Sequence, residues 1–147
     1  MQLDKEKELK QEQERCRKLA RQISRELAPR TVRLTAGYDL LEAALKEEKF
    51  VFAPEEEAAE LLIVTDPEQA DLTGLESETI LLAGRHADEV AAAAQQLAGQ
   101  GYYRSFRWKC RDRSMATALF CRQAEAPETA ALIGGYEQEV AYLQEQT

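Results

Sequence analysis

Two unbroken apolar runs, Leu61-Leu62-Ile63-Val64-Thr65 and Thr79-Ile80-Leu81-Leu82-Ala83, constrain the fold of this chain more than any other feature. A strand with one wet face alternates apolar and polar residues. A run with no polar break belongs to a strand buried on both faces, and its sheet needs helices above and below. Segments of helical periodicity flank these runs, so the chain predicts strands alternating with helices around a mainly parallel sheet.

The helices can be placed one by one. Residues 4–28 contain no glycine or proline before Pro29 and set Glu6 against Lys10 and Glu14 against Lys18, which predicts one helix. Its apolar stripe of Cys16, Leu19, Ile23 and Leu27 starts late, so the second half docks and the first half projects. Thr31 to Leu34 reads as a short strand, followed by Gly37 and a helix from Asp39 to Lys49 with Leu40, Leu41, Ala44 and Leu45 inward. Phe50-Val51-Phe52 reads as a second short strand, and Pro54 with Glu55, Glu56 and Glu57 as the acidic first turn of a brief helix. A helix from Ala87 to Gln100 places Val90, Ala94 and Leu97 on one face and ends at Gly99 and Gly101.

The end of the chain changes character. Tyr102 to Cys110 alternates, with Arg104, Phe106, Trp108 and Cys110 on one side, and returns through Arg111-Asp112-Arg113-Ser114 to a partner strand from Met115 to Arg122. The four-residue loop sets Cys110 opposite Met115 and Cys121 opposite Arg104. After Pro127 a short helix reaches Gly134-Gly135, and Tyr136, Val140 and Leu143 mark a final helix. The expected architecture is therefore α/β: a three-layer, Rossmann-like, mainly parallel sheet with a C-terminal antiparallel hairpin, a long N-terminal helix before it and a short C-terminal helix after it. The divisions are a charged helix over residues 1–28, an α/β domain over 29–125 and a helical tail over 126–147.

With 147 residues the chain has length enough for one core without disulfide staples. Three cysteines, Cys16, Cys110 and Cys121, without Cys-x-x-Cys spacing point away from a disulfide framework or a zinc site and toward a reducing, cytoplasmic setting. The charged first fifteen residues do not form a signal peptide, and no apolar run has membrane-spanning length. Charge is segregated within the net −8. Residues 1–33 hold ten basic and six acidic side chains, residues 34–100 three and fifteen, residues 101–122 six and one, and residues 123–147 none and five. Basic ends and an acidic middle suit self-association or a protein partner reached through the terminal helices.

The segments LARQISRELAPRTV, LLEAALKEE and ETILLAGRHADEVAAAAQQLAGQGYYRSF, read with the hairpin, resemble class I S-adenosylmethionine-dependent methyltransferases from about Leu19 to Arg122. The resemblance implies a cofactor loop between the first strand and the next helix. In the family that loop carries several glycines and an acidic residue, because the chain turns tightly and its backbone approaches the cofactor. Here it reads Arg33-Leu34-Thr35-Ala36-Gly37-Tyr38-Asp39, with Gly37 as its one glycine and Tyr38 directed toward the cofactor's place. By the same resemblance Glu55 or Glu56, after the second strand, is the candidate for the ribose hydroxyls, and Asp66 stands where a substrate-side motif lies. As plain chain features, Gly37 is a strand-to-helix turn, Glu55 to Glu57 a solvated helix start, and Asp66-Pro67 a strand end. The stretch between Phe52 and Leu61 is short for a full helix and third strand, so half the cofactor pocket is expected to be missing.

No catalytic residue is identified. His86 is the lone histidine, at a helix start, which leaves it a capping or surface role and no metal set. Arg104, Arg107, Lys109, Arg111 and Arg113 among Tyr102, Tyr103, Phe106 and Trp108 form the mixture that grips phosphates and stacks bases, although arginines on an edge strand also block strand pairing. The reading is a degenerate methyltransferase-like module without a cofactor, acting in partner binding or assembly. Its alternatives are an active S-adenosylmethionine-dependent enzyme with an atypical loop and a nucleic-acid-binding module using the hairpin.

Overall fold

The computed structural model describes residues 2–123 and 136–145. Helix α1 (Gln2–Glu26) buries Cys16, Leu19, Ala20 and Ile23, whereas Leu3 and Leu9 of its first half are exposed. Strand β1 (Val32–Leu34) leads to α2 (Asp39–Glu47), which buries Leu41, Ala44 and Leu45. Then come β2 (Leu61–Val64), β3 (Thr79–Gly84), α3 (Ala87–Ala98), β4 (Tyr103–Arg104), β5 (Ala116–Cys121) and α4 (Tyr136–Glu145).

The strands form one mixed sheet in the order β1-β2-β3-β5-β4. β1, β2 and β3 run parallel, and β5 is antiparallel to both β3 and β4. β2 is buried along its whole length, as its unbroken apolar run requires. Alternate residues serve opposite faces: Leu61, Ile63 and Leu81 pack with α1 and α2, while Leu62, Val64, Ile80 and Leu82 pack with α3. Leu143 of α4 joins the second cluster. Gly101 takes a left-handed φ of 86° and turns the chain out of α3, whereas Gly99 keeps helical angles.

Three expected elements come out differently. Phe50 to Phe52 is not a strand but a single parallel bridge from Phe52 to Val32, with Val32 N–H donating to the Val51 carbonyl and Ala53 N–H to the Val32 carbonyl. β1 is only three residues long and Pro54 has no N–H to offer, so the ladder stops there. The helix expected at Pro54 is a turn, closed by Glu57 N–H on the Pro54 carbonyl. Residues 54–58 are all exposed, so no apolar face docks to stabilise a helix whose first turn carries three adjacent carboxylates.

The hairpin is the third. β4 holds two residues, with Tyr103 opposite Cys121 and Arg104 opposite Phe120, one place from the expected register. After Ser105 N–H donates to the Leu119 carbonyl, the chain leaves the ladder. Strict alternation puts Arg104 and Trp108 on one face. In the fold they part: Arg104 turns to α4, and Trp108 crosses to the α1 side, where its Nε1 donates to Thr117 Oγ1 at 3.0 Å. Leaving the edge ladder buries the indole and gives its N–H a partner. The short helix expected after Pro127 lies outside the described residues.

Candidate functional site

Open α/β sheets bind ligands beyond the carboxyl ends of their parallel strands. Here those ends are Leu34, Val64 and Gly84, and Thr35 joins two of them. Its N–H donates to the Ile63 carbonyl, its hydroxyl accepts from Thr65 N–H at 3.2 Å, and the same hydroxyl donates to Asp66 Oδ1 at 2.6 Å. The Asp66 carbonyl then accepts from the N–H groups of Gln69 and Ala70, closing the turn that Pro67 begins. Gly84 is where the backbone is truly crowded: a Cβ there meets Pro67 Cγ and Val90 Cγ2 at 3.1 Å. Nothing in the sequence marks Gly84 as more than a strand end, because the crowding comes from how Pro67 and the start of α3 fold over it.

A cleft of about 270 Å³ lies over these strand ends, between α1 and the turn at Asp66. Tyr38, Asp66, Gly84 and Arg85 line it from the sheet side, and Glu12, Arg15 and Cys16 of α1 close it from the other. Glu12 takes ion pairs from both Arg15 and Arg85, and Arg15 Nε donates to Ser114 Oγ at 2.8 Å. Both cations of the cleft are thus engaged within the protein. Burial, with the Glu12 carboxylate beside it, pushes the Cys16 thiol up to about 11, so it stays protonated and is no nucleophile at neutral pH.

Of the three residues singled out for a cofactor, Asp66 and Glu55 share one groove and Gly37 stands apart. Asp66 lines the cleft and also a wider groove of about 580 Å³ on the opposite face of the sheet. Glu55 lines only that groove, with Glu56, Glu57 and Arg33. Gly37 lines neither and sits in a shallow pocket with Ala36, Glu42 and Phe52. A Cβ on Gly37 finds nothing within 4 Å, and its φ lies outside the left-handed region. The loop therefore makes none of the close approaches for which a cofactor loop needs glycine. Tyr38 packs on the α1 and α2 side of the core while lining the cleft. Arg33, where the family places an acid, donates to the carbonyls of Ala53 and Pro54 and ties down the loop after the Phe52 bridge.

The cleft, at about 270 Å³, falls just under the ~300–1,000 Å³ of ordinary small-molecule sites, and Glu12, Arg15 and Arg85 of its lining are held in ion pairs with one another. Gly37, Glu55 and Asp66 do not line one pocket together. His86 is exposed at the start of α3 and makes no side-chain capping bond. Among the described residues no group of three or more His, Cys, Asp or Glu is disposed to hold a metal ion, and no helix is long and apolar enough to cross a membrane. Comparison with protein-family models, with curated proteins and with solved structures finds no match.

Proposed function

We propose that this chain is a methyltransferase-like module that acts by binding or organising partners and transfers no methyl group. The order of its elements supports the first half of that reading. A helix leads into a strand and a crossover helix, a parallel sheet follows, and the sheet ends in a reversed strand next to its edge, in the sequence of elements that the resemblance implies. The second half rests on one observation: Gly37 lies in an open turn with no backbone strain while α1 and Tyr38 close the cleft at the strand ends.

An active enzyme is the second reading, and the meeting of Asp66 and Glu55 in the 580 Å³ groove is what favours it, because paired carboxylates suit the hydroxyls of a ribose. Calorimetric titration with S-adenosylmethionine separates the two. Nucleic-acid binding by the hairpin loses ground on burial: Arg104 is held in an ion pair and Trp108 is 3% exposed, so neither reaches a phosphate or a base.

A further inference from the structure

A second groove, of about 200 Å³, runs between the docked half of α1 and the turn that follows Cys110. Arg15, Lys18, Arg21 and Arg25 stand three or four residues apart and form one stripe of α1, and Arg111 faces them. The stripe is about 15 Å long at 1.5 Å per residue. Leu19 and Met115 form an apolar floor. Asp112 is the one carboxylate among the described residues of the lining; Ser114 donates its N–H and hydroxyl to it at 2.9 and 2.6 Å, and its charge acts on Arg15 and Lys18, leaving Arg25 the lining cation with no acidic partner among the described residues. Arg15, Arg21 and Arg111 have Glu12, Glu14 and Glu26 as partners. Lys18 and Arg25 form no ion pair among the described residues.

The complementary element lies on the same chain. The turn at 54–58 projects Glu55, Glu56 and Glu57 into solvent, and none of the three has an ion pair among the described residues. Val51, 60% exposed beside it, is one of three large apolar side chains left out in the open among the described residues. A single chain cannot bring these elements together. The groove lies over β5, on the face that packs α1, and the turn borders the opposite face beyond β1, with β2 and β3 in between.

We propose that the basic groove of one copy receives the acidic 54–58 turn of a second copy, with Val51 directed to the apolar floor. The proposal rests on the assembly half of the reading above and names its partner. Each copy carries both elements on different surfaces, so the contact is head to tail and leaves one groove and one turn open at the ends of any chain of copies. The net charge of −8 does not forbid it, because at about 0.1 M salt charges act over only about 10 Å and the groups in contact decide.

Sedimentation equilibrium of the full chain between about 1 and 500 µM at that salt concentration tests the contact. The wild type is expected to associate reversibly beyond a dimer. Lys18→Gln with Arg25→Gln, or Glu55→Gln with Glu56→Gln, is expected to weaken association about tenfold or more, with unchanged circular dichroism. An equimolar mixture of the two variants retains one intact contact and is expected to stop at a heterodimer. A monomeric wild type, or either variant associating like the wild type, overturns the proposal. A wild type that stays monomeric but is retained on immobilised polyglutamate also overturns it and gives the groove to an acidic segment of another protein. A monomer that takes up no S-adenosylmethionine overturns this contact alone, whereas uptake of S-adenosylmethionine overturns the reading beneath it.

Discussion

Arg104 of β4 and Glu139 of α4 form an ion pair in which each side chain is only 3% exposed. The guanidinium lies 4.3 Å from the ring centroid of Tyr142 and 5.2 Å from that of Phe120, so charge and stacking together fasten α4 to the edge of the sheet. Burial pushes Arg104 below its ordinary range and Tyr142 opposes that push. Arg104→Met leaves a buried carboxylate without a partner and is expected to cost about 3–5 kcal/mol, while adding Glu139→Leu recovers most of the loss. Urea denaturation of the two variants checks this. Equal losses in both would mean that the pair contributes packing alone.

Trp108 is the lone tryptophan, and its N–H has Thr117 Oγ1 as partner inside the α1 side of the core. Thr117→Val keeps the shape and removes the acceptor, which is expected to cost about 1–3 kcal/mol. Tryptophan fluorescence followed through denaturation reads both the stability and the local change. An unchanged midpoint would contradict the burial of that N–H.

Gly84 and Gly37 invert the importance the sequence assigns them. Gly84→Ala drives a methyl against Pro67 and Val90 at 3.1 Å and is expected to cost about 1–3 kcal/mol. Gly37→Ala meets open space at ordinary angles and is expected to be neutral or to stabilise by up to about 1 kcal/mol, through the unfolded chain. Thermal melts of the two variants side by side distinguish a working cofactor loop from an ordinary turn.

Cys16 gives the fold a dependence on alkaline pH. Its thiol rises from an ordinary 9.0 to about 11 because burial, and then Glu12, disfavour the thiolate. The folded chain therefore holds this proton more tightly than the unfolded chain. The stabilisation is complete below pH 9 and is lost as the pH climbs through 11. In a Cys110→Ser, Cys121→Ser background, Cys16 is expected to react with iodoacetamide at pH 8 about a hundredfold more slowly than an exposed thiol. Reaction at the exposed rate would contradict its place beneath Glu12.

Much of the frame was legible because it depends on local periodicity. The apolar run from Leu61 announced a doubly buried strand, and the late stripe from Cys16 announced a helix docked by its second half. The hairpin departs from its alternation through contacts distant in sequence. Trp108 leaves the alternation for Thr117 and α1, and no window around Trp108 contains α1. The acidic turn at Glu55 misled because its residues suit a helix start yet offer nothing to bury. At the site, the poverty of the Gly37 loop was visible, but its filling was not. That Glu12 and Arg15, more than twenty residues earlier, close the cleft follows from how α1 crosses the strand ends.

Isothermal titration of the full chain with S-adenosylmethionine and S-adenosylhomocysteine, on the wild type and on Tyr38→Gly, bears most directly on whether this frame works as an enzyme. Below about 1 mM ligand, an affinity near −4 kcal/mol, the account expects no saturable heat from the wild type. Any gain on removing the Tyr38 ring should be small, because Glu12, Arg15 and Arg85 still close the cleft. Saturable micromolar binding by the wild type would contradict the account and return Asp66 and Glu55 to the role of cofactor ligands.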